Sequence, residues 1–239
     1  MVVFRHEHTF LDLEATRDDK RNLMPYQKTY SFPGPYINQA HHRLALSALH
    51  DASPMINIGI EGWLLPADVL KLYEMAYFCE GDILELGTYK GLSASIMAEA
   101  SRDSGRDFVI VTVDLDPELS KEAKKGVEAR KAPGRENIHF FVFDAVTFVA
   151  NLATSERQFE FAFVDHSHRY EHVYGTCVNL HRVLKPGAFV LFHDYNDPRN
   201  ADKANLDYGV YQGVHDGLSK DEFEFWGIYG CTGLFRRKN

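Results

Sequence analysis

The chain has 239 residues, with 26 lysine and arginine residues against 34 aspartate and glutamate residues, for a formal net charge of −8. This length is enough for one large domain, or for one domain with an appended segment, to bury a core without disulfide or metal support. The acidic balance argues against a nucleic-acid partner, because contact with a phosphate backbone needs clustered cations.

No apolar run approaches the roughly 20 residues of a membrane span, and the first residues lack the basic start and apolar core of a signal peptide. We therefore expect a soluble, cytoplasmic protein with no membrane partner. Cys79, Cys177 and Cys231 are widely spaced and lie in or beside apolar segments. This pattern is typical of buried free thiols rather than of a disulfide framework or a metal chelate.

The first 60 residues differ from the rest of the chain. They carry a charge run, a proline-glycine turn cluster and scattered aromatics, without strand alternation. Helical spacing of apolar residues predicts a helix over residues 39–50. We interpret residues 1–60 as an N-terminal helical cap on a main domain of residues 61–239, and a floppy extension is the alternative.

From residue 66 onward, helix and strand patterns alternate. Pro66 at a first helical position predicts an amphipathic helix ahead of the first strand. The predicted strands cover residues 83–86, 108–113, 138–143, 161–164 and 188–192, and the predicted helices between them cover 91–101, 117–130, a short segment from 145 and a longer one ending near 184. Apolar strands alternating with helices predict a mostly parallel, doubly wound α/β sheet covered on both faces. Two further strands around a Gly-Cys-Thr-Gly turn predict a closing antiparallel hairpin, for about seven strands in all.

A glycine turn follows the first predicted strand. Residues 85–93 are Glu-Leu-Gly-Thr-Tyr-Lys-Gly-Leu-Ser, and they lead into a predicted helix. Gly87 and Gly91 allow a ligand to approach the backbone, and the helix N-terminus offers unpaired N–H donors. The turn lacks the third glycine of a dinucleotide-binding loop, and Glu85 would repel a diphosphate but suits a cationic amino group. The turn therefore predicts a nucleoside-type ligand with a positive end.

Two carboxylates follow the next two predicted strands. Asp114 can accept hydrogen bonds from both hydroxyls of a ribose, since the helix N-cap role in this segment fits Asp116 better. Asp144 lies where it could accept a hydrogen bond from an adenine amino group. An N-cap role for Asp144 is a compatible alternative.

Together these residues resemble the class I S-adenosylmethionine (SAM)-dependent methyltransferases over about residues 61–239. The resemblance implies a Rossmann-like sheet and SAM as the cofactor. The cofactor-binding residues that it implies are Glu85, Gly87, Thr88, Gly91 and Ser93 in the glycine turn, Asp114 for the ribose, and Asp144 with Ala145 for the adenine.

Later motifs narrow this resemblance. The run Phe-Val-Asp-His-Ser-His-Arg-Tyr-Glu at residues 163–171 precedes Leu-Lys-Pro-Gly at 184–187 and Phe-His-Asp-Tyr at 192–195. They are similar to a bacterial small-molecule methyltransferase family with the motifs FVDxxHxY, LxPGG and FHDY. This similarity implies O-methylation of a small-molecule acceptor such as a sugar, a phenol or a natural product. Ala188 and His166 depart from the family pattern, in which both positions commonly hold glycine.

Asp165 and Asp194 end the fourth and fifth predicted strands, so their carboxylates can converge. Two oxygen ligands could hold Mg²⁺ or another divalent cation together with waters and two substrate hydroxyls. This resembles the metal-dependent catechol-type methyltransferases, but Tyr195 stands where their third ligand, an asparagine, is found. The alternative is that Asp165 bonds the amino group of the cofactor and Asp194 orients a histidine.

A hydroxyl acceptor needs a base. His168 and His193 lie at strand ends beside carboxylates that could fix their tautomers, so we predict that they act in catalysis with Asp194. His166 is a third candidate. Trp63, just ahead of the helix from Pro66, is predicted either to line the cofactor or acceptor pocket with Gly62 or to be a buried anchor of the cap.

Two other functions stay open at this point. A nicotinamide-dependent oxidoreductase would use a similar sheet, but the glycine spacing and the lack of a TyrxxxLys pair argue against it. A non-catalytic protein could keep the cofactor pocket as a sensor. The sequence leaves the acceptor and the oligomeric state, including a homo-oligomer, undetermined.

Overall fold

The computed structural model describes residues 25–47, 55–131, 133–202 and 204–239. The helices there are α1 Gln39–Ser47, α2 Pro66–Phe78, α3 Leu92–Asp103, α4 Pro117–Arg130, α5 Ala145–Leu152, α6 Tyr170–Cys177, α7 Leu180–Val183 and α8 Val210–Gly217. The strands there are β1 Ile83–Leu86, β2 Ile110–Asp114, β3 Ile138–Val142, β4 Phe159–Val164, β5 Leu184–Phe192, β6 Phe223–Tyr229 and β7 Thr232–Arg237.

The seven strands form one sheet in the order β3-β2-β1-β4-β5-β7-β6. Strands β1 to β5 are parallel, and β7 runs antiparallel to both β5 and β6. This confirms the predicted doubly wound sheet and its terminal hairpin. The chain runs outward from β1 to β3 and returns to β4 on the other side of β1, so the order reverses between β1 and β4. The carboxyl ends of strands at such a reversal are where open α/β sheets bind ligands.

Helices cover both faces of the sheet. One cluster of buried apolar side chains joins α1, α2, α3 and one sheet face, and a second joins α5, α6, α7, α8 and the other face. No helix among the described residues is long and apolar enough to cross a membrane.

Two predictions differ from the structure by more than two residues at the end of an element. The helix predicted to end near residue 184 is split into α6 and α7, because Asn179 between them favours a turn over a helix interior. Strand β5 begins at Leu184 rather than at residue 188. A register shift in its pairing with β4 absorbs the extra residues, which include Pro186, without an N–H group, and Gly187, with a φ of 83°.

A buried ion pair ties the N-terminal segment to α2. Lys71 Nζ and Glu74 Oε2 lie 2.5 Å apart, and both side chains are fully buried. Glu74 accepts the backbone N–H groups of Thr29 and Tyr30, while Lys71 donates to the Gln27 carbonyl and the Thr29 hydroxyl. The stretch 25–47 is therefore packed on the sheet domain. Residues 1–24 and 48–54 of the predicted cap, and the last three residues of its predicted helix, lie outside the described residues.

We expect Lys71→Met to lower the free energy of unfolding by about 3–5 kcal/mol, because it leaves the Glu74 carboxylate buried without its cation. Urea denaturation followed by circular dichroism would measure the loss. Lys121→Met is the matched control, since Lys121 pairs with Glu118 on the exposed face of α4 and should change stability by less than about 1 kcal/mol. Equal losses in the two variants would contradict this account of the N-terminal anchor.

Candidate functional site

A cavity of about 470 Å³ opens at the carboxyl ends of β1, β4 and β5. This volume is typical of small-molecule sites. The segment before α2, the glycine turn, the loops after β4 and β5 and the hairpin turn all contribute to it. Its lining residues are Met55, Gly62, Trp63, Leu64, Leu65, Gly87, Thr88, Tyr89, Leu92, Ser93, Asp165, His168, His193, Asp194, Asn196, Asp197, Pro198, Arg199, Tyr208 and Cys231.

Both glycines of the turn have backbone angles that favour glycine. Gly87 has a φ of 99°, and Gly91 has a φ of 83° at the N-cap of α3. A Cβ atom at Gly87 would lie 2.2 Å from the carbonyl oxygen of Asp165 and 2.7 Å from the backbone nitrogen of His166. Gly87 thus allows the turn to lie against the end of β4. The sequence alone did not reveal this reason for a glycine at position 87.

Glu85 lies beneath this turn and is fully buried. Its Oε2 accepts a hydrogen bond from the hydroxyl of Thr112, and within the described structure its Oε1 is buried without a hydrogen-bond partner. Burial raises the pKa of Glu85 to about 8, although the hydroxyl groups of Ser93 and Thr112 act in the opposite direction. A buried carboxyl oxygen without a donor is what a ligand amino group would require.

Asp114 holds the glycine turn. Its Oδ2 accepts the backbone N–H groups of Thr88 and Tyr89 over 3.0 and 2.8 Å, and its Oδ1 accepts that of Asp116 over 3.0 Å. A carboxylate has about four lone-pair sites, so part of its acceptor capacity remains for a ribose. This positioning role was missed in the sequence, and the ribose role stays a prediction.

Asp144 caps helix α5. It accepts hydrogen bonds from the backbone N–H and the hydroxyl of Thr147 over 2.8 and 2.6 Å, and these bonds lower its pKa. Ala145, the first residue of α5, is half-buried, and neither residue lines the cavity. The N-cap role is therefore present, and the adenine role that is compatible with it stays a prediction.

Two exposed apolar side chains lie next to these strand-end carboxylates. Leu115, directly after Asp114, is 69% exposed, and Phe143, directly before Asp144, is 42% exposed. Neither residue was predicted from the sequence to contribute to the site. The sequence feature that could have identified them is an apolar residue directly beside each carboxylate that was predicted to bind the ligand.

An acid–imidazole cluster, which consists of Asp165, His168, His193 and Asp194, forms the other side of the cavity. His193, only 4% exposed, has its Nδ1 3.0 Å from Asp165 Oδ1 and 3.6 Å from Asp194 Oδ1. Burial opposes protonation of His193, but Asp165, Cys231 and Asp194 raise its pKa well above the ordinary value. Burial would raise the pKa of Asp165, whereas His193 and His168 hold it at about 2. Asp194 has a φ of 54°, a strained backbone angle of the kind that persists at functional sites.

His168 lies at the more open end of this cluster. Its side chain is 33% exposed, and its Nε2 lies 3.3 Å from Asp194 Oδ2 and 3.7 Å from Asp165 Oδ1. The ring stacks on Tyr208, whose hydroxyl donates to the same Asp194 Oδ2 over 3.0 Å. Arg199 lies over the Tyr208 ring at 3.8 Å. The structure thus brings together all four residues that the sequence predicted for catalysis or metal binding, and it adds Tyr208 and Arg199.

His166 does not join the cluster. Its Nε2 lies 2.9 Å from the hydroxyl of Thr176, and burial lowers its pKa to about 4. This is the environment of a neutral, structural imidazole. Trp63, by contrast, is 65% exposed and lines the cavity, so the alternative of a buried anchor was wrong.

Cys231 lines the cavity and contacts Asp68 behind it, and neither residue was predicted from the sequence to adjoin the site. Cys231 Sγ lies 3.3 Å from His193 Nε2 and 3.5 Å from Asp68 Oδ2. All three cysteines are free thiols as predicted. Cys79 and Cys177 are buried, whereas Cys231 is only half-buried. The sequence feature that could have placed Cys231 near the site is its position in the hairpin turn, because strand β7 of that hairpin pairs with β5.

The Asp165 and Asp194 carboxylates are a poor match for a magnesium site. Their oxygens face the imidazoles of His168 and His193 and the hydroxyl of Tyr208, whereas Mg²⁺ prefers oxygen ligands and water. The arrangement instead suits carboxylates that orient imidazoles, the alternative of the sequence analysis. The magnesium prediction stays a prediction.

A family model described as a methyltransferase domain matches residues 84–195. The chain carries a methyltransferase domain. The match begins in β1 and ends just after β5, so it includes both the glycine turn and the acid–imidazole cluster of this methyltransferase. The sequence-based assignment to the methyltransferases is confirmed. None of the curated proteins compared with the chain matches it.

Solved methyltransferase structures share the fold of this methyltransferase. The O-methyltransferase TomG from Streptomyces achromogenes, involved in tomaymycin synthesis and solved in complex with SAM, is 17% identical, with a TM-score of 0.59 over 84% of this chain and 91% of TomG. Podospora anserina methyltransferase PaMTH1, bound to S-adenosylhomocysteine (SAH), is 15% identical, with a TM-score of 0.58 over 85% and 89% of the two chains. A Bacillus cereus O-methyltransferase in complex with SAH is 14% identical, with a TM-score of 0.54 over 82% and 87%.

We expect Gly87→Ala to destabilise the protein more than Gly105→Ala does. Both positions have positive φ, which costs a non-glycine residue about 1–3 kcal/mol. Only Gly87 also faces backbone atoms, whereas a Cβ at Gly105 would meet nothing within 4 Å. Thermal unfolding of the two variants would measure the difference. Equal melting temperatures would contradict the close approach of the turn to β4.

Proposed function

We propose that this methyltransferase transfers a methyl group from SAM to an oxygen of a small polar or phenolic acceptor. The observation that carries the proposal is one cavity, at the reversal point of the sheet, that joins the glycine turn to the acid–imidazole cluster. A methyl transfer needs a site for the donor and a base for the acceptor within one enclosure.

The residues of the turn fit the methionine end of SAM. The ammonium group would donate to Glu85 Oε1, which is buried without a partner in the described structure. The N-terminus of α3, which begins directly after Gly91, offers N–H groups to a carboxylate. SAM, when bound, supplies the electrophilic methyl group.

The exposed edge beside β2 and β3 fits the adenosine end. Leu115 and Phe143 offer apolar surface to the faces of a purine, and Asp114 and Asp144 next to them supply acceptors for hydroxyl and amino groups. Apolar faces with a few polar contacts are typical of cofactor sites.

His168 is the best placed base for the acceptor. When Nε2–H donates to Asp194, Nδ1 carries the lone pair that can accept the hydroxyl proton. His193 is less suited, since Asp165 and Cys231 face its two nitrogens inside the protein. We infer that His193 orients Asp165 and that His168 moves the proton.

Exposed surface at the mouth of the cavity favours a small ring-containing acceptor. Trp63 presents an indole that is 65% exposed, on which an aromatic or sugar ring could stack. The net charge of −8 disfavours a nucleic-acid acceptor.

We expect SAM to bind more tightly as pH rises from about 6 to about 7.5, by up to about tenfold per pH unit. Glu85, with a pKa of about 8, is mostly protonated in this range, and an ammonium partner requires it to ionise. Because the pKa of Glu85 is higher in the folded protein than in the unfolded chain, the free energy of unfolding falls as pH rises from the unfolded pKa towards about 8. A cation that pairs with the Glu85 carboxylate offsets this loss of stability. Isothermal titration at several pH values would measure the change.

Glu85→Gln should remove this pH dependence, and Glu118→Gln on the surface of α4 should leave it intact. Absence of SAM binding to the wild type would contradict the proposed function. Binding with the same pH dependence in Glu85→Gln would contradict only the role of Glu85.

We expect His168→Ala to lower kcat by about 10²–10⁴-fold with unchanged affinity for SAM, because the base is lost while the glycine turn remains. His139→Ala, at an exposed position on β3, is the control and should leave kcat unchanged. Formation of SAH with a panel of phenols and sugars would give the rates. Normal turnover by His168→Ala would exclude this base, and SAM binding without turnover of any acceptor would favour a non-catalytic cofactor-binding protein.

A further inference from the structure

Three side chains of the kinds that can bind a metal, from separate parts of the chain, meet beside the cavity. Asp68 comes from the first turn of α2, His193 follows β5, and Cys231 lies in the hairpin turn. His193 Nε2 lies 3.3 Å from Cys231 Sγ and 3.8 Å from Asp68 Oδ2, and Cys231 Sγ lies 3.5 Å from Asp68 Oδ2. Tetrahedral Zn²⁺ with bonds of about 2.0–2.3 Å separates its ligand atoms by about 3.3–3.6 Å. The three atoms thus already have nearly the spacing of three ligands around one zinc ion.

Hydrogen bonds around the three side chains resemble the surroundings of a metal site. The Nδ1 of His193 lies 3.0 Å from Asp165 Oδ1, which directs Nε2 towards Cys231 and matches the carboxylate–histidine–zinc arrangement. Asp68 Oδ1 accepts the backbone N–H of Cys231 over 2.9 Å and the hydroxyl of Thr232 over 2.7 Å. These contacts fix the rotation of the Asp68 carboxylate.

The charges and ligand types of the cluster favour zinc over magnesium. Three carboxylates, those of Asp68, Asp165 and Asp194, face the imidazole of His193 within 4 Å. A divalent cation would offset this excess of negative charge. A set of one sulfur, one imidazole nitrogen and one carboxylate suits a borderline-soft ion, whereas Mg²⁺ takes oxygen ligands.

We propose that Asp68, His193 and Cys231 bind one Zn²⁺ ion, with a fourth coordination position open to the cavity. His193 and Cys231 line the cavity, so a water molecule or an oxygen or sulfur atom of a bound small molecule can take that position. Cys231 binds as the thiolate, and its proton passes to solvent when the metal enters. The site does not depend on methyl transfer, so it stands or falls separately from the proposed function.

Metal content and a cobalt spectrum test the site on the full chain, with any affinity tag removed. After equilibration with Zn²⁺ and dialysis, the wild type should hold one zinc ion per chain. Co²⁺ in its place should give the thiolate-to-cobalt absorption that reports a sulfur ligand. Cys231→Ser should lose this absorption and weaken zinc binding by more than about 100-fold, beyond the 10–100-fold that loss of an outer-shell partner causes.

Cys79→Ser is the matched control, since Cys79 is also largely buried but donates to the Gly81 carbonyl instead. It should keep the zinc content and the cobalt spectrum of the wild type. A wild type without stoichiometric zinc would overturn the proposal. So would a bound metal whose spectrum lacks the sulfur band, because Cys231 would then not be a ligand of that metal.

Discussion

The close backbone contact between the glycine turn and the end of β4 is the constraint on which the rest of the site depends. Gly87 follows β1 and Asp165 follows β4, and the two strands are neighbours only because the sheet reverses between them. The Asp165 backbone N–H donates to the Leu86 carbonyl over 2.7 Å, and no side chain larger than hydrogen fits at Gly87. This contact brings the turn that fits a cofactor to the edge of the cluster that can carry a proton.

The cluster itself is built from charges that stabilise one another. Asp165 and Asp194 face two imidazoles, and the Tyr208 hydroxyl donates a hydrogen bond to Asp194 on the more exposed side of the cluster. Because each carboxylate bonds an N–H or O–H donor, the imidazoles keep defined orientations before any substrate binds. Preorganised groups of this kind lower the reorganisation needed during a reaction.

Sequence periodicity was sufficient to predict the fold, because each strand and helix has a clear pattern of apolar residues in its own segment of the sequence. The apolar runs, Pro66 and Pro117 at helix starts and the terminal hairpin pattern all point to the elements that the structure contains. A predicted boundary was wrong where pairing between strands determines the start of an element. At Leu184, the bulge against β4 extends strand β5 through a proline and a glycine.

The site was predictable where its residues adjoin strand ends in the sequence. Two of these residues, Asp165 and His168, follow β4, and the other two, His193 and Asp194, follow the neighbouring strand β5. The topology of the sheet alone therefore brings them together. Asp68 and Cys231 could not be paired in this way, because they lie 163 positions apart in the chain and only the packing of α2 against the hairpin turn joins them. The role of Asp114 in holding the turn was also hidden, since backbone N–H groups leave no trace in side-chain identity.

A crystal structure of the chain with SAH would show whether the glycine turn and the acid–imidazole cluster form one site around the cofactor. We expect the amino group of SAH within hydrogen-bonding distance of Glu85 Oε1, its ribose at Asp114, and its sulfur facing the cavity that holds His168 and Asp194. Density for SAH elsewhere on the molecule, or with its sulfur turned away from that cavity, would contradict this expectation.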